Sequence, residues 1–146
     1  MIHPTAIIEG DVQLGPGSQV GWYSIVRGRV RAGRNLRLGA LSSIEGDVTI
    51  GDDVTIRGKC EIPNSIIGDR VSIYSGVKFY DTPRPPDGPN LPPVIEDDVT
   101  ICCDSAILGG VTIGAGSVIG ARVFVTANVP PRSLVTAESS YKVRPL

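Results

Sequence analysis

From Ile95 to Val125 an aliphatic residue returns every six positions: Ile95, Ile101, Ile107, Ile113, Ile119 and Val125. Four positions after each opener comes a small or β-branched residue: Val99, Ser105, Val111, Ser117, Val123 and Val129. A helix repeats near 3.6 residues and a half-buried strand every 2, so neither explains this spacing. A fixed short period belongs to a solenoid, and hexapeptide repeats mark a parallel β-helix.

The period extends through almost the whole chain. Counting back from Ile62 in sixes gives Ile56, Ile50, Ile44, Leu38, Ala32, Val26, Val20, Leu14, Ile8 and Ile2. One residue is missing at Pro63-Asn64, and the phase resumes at Ile67, Ile73 and Phe79. Taking the openers in threes predicts three stacked columns. The first is Ile2, Val20, Leu38, Ile56, Ile73, Ile101 and Ile119. The second is Ile8, Val26, Ile44, Ile62, Phe79, Ile107 and Val125. The third is Leu14, Ala32, Ile50, Ile67, Ile95, Ile113 and Pro131. Three faces per turn make an all-β triangular prism of about seven coils, roughly 30 Å tall at the spacing of stacked strands. Glycines that follow an opener, such as Gly15, Gly39 and Gly114, suit corners needing an unusual backbone angle or a close approach.

Residues 80–94 interrupt the rhythm. The stretch Tyr80–Pro93 holds six of the chain's 12 prolines, so it reads as a stiff loop leaving the prism. The expected organisation is a β-helix over 1–132, with the loop insertion at 80–94, and a C-terminal tail over 133–146.

At 146 residues the length suits one domain, and 5% aromatic residues with 18 glycines suit thin coils. A formal charge of −1 argues against a nucleic-acid surface. No apolar run is long enough to span a membrane, and the start MIHPTAIIEG lacks the pattern of a signal peptide. A cytoplasmic location is therefore expected. Cys60, Cys102 and Cys103 make neither a zinc pattern nor an even disulfide set, and Cys60 falls on an inward small position. Arg27, Arg29, Arg31, Arg34, Arg37 and Arg57 cluster in the early coils. They read either as solvated or ion-paired face residues, or as a patch for a phosphorylated or carboxylated ligand.

The run VIEDDVTICCDSAILGGVTIGAGSVIGARVFVTANVPPRSLV resembles the C-terminal signature of the hexapeptide-repeat acyltransferases, in particular the branch that acetylates sugars. This resemblance, and not the periodicity, implies a single-stranded left-handed coil, against the usual right-handed crossover. It also implies a homotrimer with clefts between neighbouring prisms, acetyl-CoA as acyl donor with no metal, and a sugar or nucleotide-sugar acceptor. Relatives commonly carry Asp-His at the start of the loop, with the histidine as general base. Here Tyr80-Asp81-Thr82 stand at that place, and Thr82 replaces the histidine. The catalytic candidates are Asp81, Tyr80 and Thr82. The only histidine, His3, lies in the first coil and is expected to order the N-terminal edge. Carried over by position, the acyl-donor contacts are Cys103, Gly120, Ala121, Thr126 and Arg144.

Two other readings compete. A trimeric scaffold or binding protein would need no base, consistent with histidine being confined to position 3. The run Trp22-Tyr23-Ser24-Ile25-Val26-Arg27-Gly28 is also similar, more distantly, to γ-class carbonic anhydrases. Catalytic zinc takes three protein ligands there, and one histidine cannot supply them.

Overall fold

The computed structural model describes residues 1–82, 88–138 and 143–145. Residues 83–87 of the expected loop, and 139–142 and 146 of the expected tail, lie outside the described residues. The chain winds as a left-handed parallel β-helix of about seven turns. Every strand pairing in it is parallel, and the described residues contain no helix.

Each opener pairs with its like on the next coil. On the first face the ladder runs Ile2, Val20, Leu38, Ile56, Ile73, Ile101, Ile119 and then Val135. The second face stacks Ile8, Val26, Ile44 and Ile62, then Phe79, Ile107 and Val125. The third stacks Leu14, Ala32, Ile50, Ile67, Ile95 and Ile113. These residues are buried from the second coil onward, Ala32 and Val135 only partly. Each fully buried isoleucine contributes roughly 1.5–3 kcal/mol.

Two expectations need correction. Ile113 pairs with Val129 and not with Pro131. The Val129 N–H donates to the Thr112 carbonyl at 3.0 Å, a bond that a proline has no hydrogen to make. Pairing then continues to Leu134–Val135 against Val118–Ile119, so the last rung lies beyond residue 132. Of the two roles expected for the glycine after an opener, close approach is the one it fills. The glycine after an opener meets a close approach: a Cβ on Gly39 would sit 2.5 Å from the Gly58 nitrogen. The left-handed backbone comes two residues further on, at Gly17, Asn35, Asp53 and Arg70 on one corner and at Tyr23, Leu41, Lys59 and Gly76 on another.

The corner between the second and third faces is built differently in the first three coils. There single strands, Ile7–Leu14, Ile25–Ala32 and Ser43–Ile50, bend through it without a break. They bend at Gly10, Gly28 and Gly46, with φ of 88°, 109° and 101°. A Cβ on Gly10 would lie 2.7 Å from the Gly28 oxygen, so these glycines stack in contact. Inside the corner between the first and second faces runs a polar ladder. Ser24 Oγ donates to Gly39 O at 2.8 Å, Ser42 Oγ to Arg57 O at 2.9 Å, and Cys60 Sγ to Tyr74 O at 3.1 Å. Each such bond contributes about 0.5–1.5 kcal/mol. At the N-terminal edge His3 Nδ1 lies 2.8 Å from Thr5 Oγ1, consistent with an ordering role.

Candidate functional site

The glycine column of the second corner ends where the chain drops one residue. Asn64 follows Ile62 by two positions, as Gly46 follows Ile44, and its side chain folds over Gly46. The next residue in the column is Asp81, two after Phe79, and the one after that is Gly109. Polar side chains therefore occupy two consecutive rungs where the earlier coils have no side chain.

The two are hydrogen-bonded into one unit. Asp47 N–H donates to Asn64 Oδ1 at 2.6 Å, and Asn64 Nδ2 donates to Asp81 Oδ2 at 2.7 Å. Thr82 Oγ1 donates to the other Asp81 oxygen at 3.3 Å. Asp81 is half-buried, so its charge sits partly out of water with a fixed set of donors. The loop base is pinned as well. Leu91 N–H donates to the Asp81 carbonyl at 2.7 Å, and Gly110 N–H to the Leu91 carbonyl at 2.9 Å. Gly109 lies under this junction, where a Cβ would come within 2.6 Å of the Thr82 nitrogen. Beside Asn64 opens a hollow of about 450 Å³, whose polar lining includes Asp47, Thr49, Asn64 and Asn90.

Asn64 was not among the sequence candidates. Its signal was the missing residue at Pro63-Asn64, one coil before the insertion, which marks a place where this corner changes construction. Tyr80 adjoins Asp81 in the chain but leans on Phe124, with ring centroids 6.1 Å apart. Thr126 follows Val125 as Tyr80 follows Phe79, so it lies on the same corner two coils later, exposed. Cys103, Gly120 and Ala121 are on a different corner, between the first and second faces, where Arg122 N–H donates to Cys103 O at 3.0 Å. Cys103 and Ala121 are exposed. Gly120 is tied into the fold: its N–H donates to Val135 O at 2.8 Å and its carbonyl accepts from Ser105 Oγ at 2.7 Å. Arg144 lies past the last strand and is exposed. The chain thus brings Tyr80, Asp81, Thr82 and Thr126 to one corner and leaves the remaining candidates apart from it. Among the described residues no three His, Cys, Asp or Glu side chains are grouped to hold a metal ion.

Comparison with known proteins agrees with this architecture. The family model described as bacterial transferase hexapeptide (six repeats) matches residues 92–127. A plasmid serine acetyltransferase of Synechococcus elongatus is 41% identical over 71% of this chain and 33% of its own length. A bifunctional protein GlmU of Nitrosospira multiformis is 30% identical over 95% of this chain and 37% of its own. The chain spans about a third of the length of these relatives. Among solved structures, a Francisella novicida UDP-N-acetylglucosamine acyltransferase shares the fold. Its TM-score is 0.57 at 17% identity, covering 94% of this chain and 67% of that one.

Proposed function

Since this chain belongs to the hexapeptide-repeat transferase family, we propose that it moves an acetyl group from acetyl-CoA to a hydroxyl or amine of a small, sugar-like molecule. The observation that carries this reading is the Asp81 carboxylate, held at the loop base by Thr82 and by Asn64, which itself lines a hollow of suitable size. The hollow's amides, hydroxyl and carboxylate suit a polyhydroxylated acceptor. Asp47 and Asp81 would repel an acceptor that presented a carboxylate to the same side.

In this reading the acceptor oxygen or nitrogen attacks the thioester carbonyl carbon and its proton passes to Asp81. The C–S bond then breaks, and the proton goes on to the departing CoA sulfur. Thr82 orients Asp81, since a hydroxyl is no base at neutral pH. Tyr80 walls the corner against Phe124. The acetyl-CoA contacts are Cys103, Gly120, Ala121, Thr126 and Arg144, with Arg144 toward the nucleotide phosphates. One face separates the two corners on a single chain. A homotrimer that sets one copy's first corner against the next copy's loop corner would join them into one cleft.

The test is calorimetry with acetyl-CoA, followed by thiol release over hydroxy-sugars, amino-sugars and serine. Turnover should fall about 10²- to 10⁴-fold in Asp81→Asn, the span typical of a lost proton-transfer group, with the folded state intact. Thr82→His should raise it. An absence of binding at millimolar acetyl-CoA would refute the transferase reading and favour a non-catalytic scaffold, which the lack of a loop histidine supports.

A further inference from the structure

The arginines of the early coils divide into two sets. Arg27 meets Glu45 at 2.6 Å and Glu9 at 3.8 Å, Arg29 meets Asp47 at 3.9 Å, and Arg34 meets Asp53 at 3.6 Å. Arg31 pairs with Asp11. These ladders alternate in sign from coil to coil along the bent strands. They follow the ion-paired reading of the cluster, within one chain.

Arg37 and Arg57 differ. Among the described residues no carboxylate lies within ion-pairing distance of either. Arg37 stands on the outside of the first face with Gln19 and Thr55 as its ladder neighbours. Arg57 directly follows Ile56, and its guanidinium lies over the Tyr74 ring at 5.6 Å. That stacking holds a planar, permanently charged group in place. The position below Arg57, one coil earlier, is Gly39, where the Gly58 backbone leaves no room for a side chain. The result is a groove of about 540 Å³ lined by both arginines, Gln19, Thr55 and Ser75, with no acidic residue in its wall. Two guanidinium groups repel one another unless an anion stands between them. Neither can accept a hydrogen bond, and both match the two-oxygen edge of a phosphate or carboxylate.

We propose that this groove binds a small molecule through a phosphate or carboxylate placed between Arg37 and Arg57. The body of the ligand would reach Trp22. Two hollows flank the groove, one sharing Gln19 and Leu38 with it and the other Gly58 and Ser75, and Trp22 lines both. Trp22 is half exposed and is the chain's only tryptophan, so its fluorescence comes from a single position beside the groove. The site is independent of the acetyl-transfer reading.

The experiment titrates the full chain at low salt with inorganic phosphate and, separately, with citrate, following Trp22 fluorescence and melting temperature. A saturable response to either anion is expected, and the stronger arm identifies which oxyanion the groove prefers. Arg37→Gln and Arg57→Gln should each weaken it about 10- to 100-fold, the range for losing one charge-assisted hydrogen bond. Arg34→Gln should leave it unchanged. The proposal fails if neither anion gives a saturable response, or if the double variant responds as the parent does. It also fails if light scattering shows the double variant losing copies from an assembly, because the arginines would then serve a chain-to-chain contact.

Discussion

Cys60 occupies the rung that Ser24 and Ser42 occupy in the two preceding coils, and it bonds the same kind of partner, a carbonyl of the following coil. Its inward position was legible from the repeat. Its membership of a polar ladder was not, because hydrogen-bond direction follows from stacking and not from spacing. Burial pushes its thiol above the ordinary value of 9.0. The folded chain thus keeps this proton where the unfolded chain begins to lose it. The contribution to stability is complete below about pH 9 and declines as pH rises through the raised folded value. Cys60→Ser should therefore cost no more than about 1 kcal/mol at neutral pH, since serine fits the ladder. It should also melt with a shallower decline above pH 9 than the parent, which thermal scans across pH would show. Asp81, by contrast, was legible as a candidate, whereas Asn64, which fixes its side chain, belongs to no recognised motif and was visible only as a slip of phase.

At the scale of the element, the hexapeptide writes its inward positions plainly and its corners poorly. Every rung of the first face paired as the spacing predicts, because an aliphatic ladder is specified by burial alone. The corners depend on which residue accepts a left-handed backbone, and Tyr23, Leu41, Asp53, Lys59 and Arg70 do so alongside glycine. No residue type marks that position, so the sequence pointed to the neighbouring glycines. Those glycines are needed for close approach, and so is Gly109, two after Ile107, at the base of the loop. Gly109→Ala would push against the Thr82 nitrogen and the Leu91 oxygen. Overpacking of this kind costs about 1–3 kcal/mol. The expected outcome is a lower denaturation midpoint together with reduced thiol release, because Asp81 is anchored through the same junction. Unchanged turnover at full stability would show that the loop base does not position Asp81.

At the scale of the molecule, a solenoid stacks each coil only on its neighbours, so residues on different corners of one chain stay apart. Asp81 and Cys103 illustrate this: the resemblance carries both into one site, and the fold sets them on separate corners. If a second copy completes the site, light scattering at micromolar concentration should give three times the 15.4 kDa chain mass. A monomer mass would leave the proposed acyl-donor residues without the proposed base facing them and would remove the composite cleft. The same scale separates the two readings of the arginine cluster. Six arginines close in sequence looked alike until the register showed four beside carboxylates and two facing a groove. What the sequence by itself determined was the wrapped column and its three aliphatic ladders, because a period of six admits no other way to bury those side chains. Only the tertiary structure decided which polar residues meet across coils, since partners 17 to 28 positions apart, such as Asn64 with Asp81 and Arg70 with Asp98, are brought together by a register that slips at residue 63 and again at the loop.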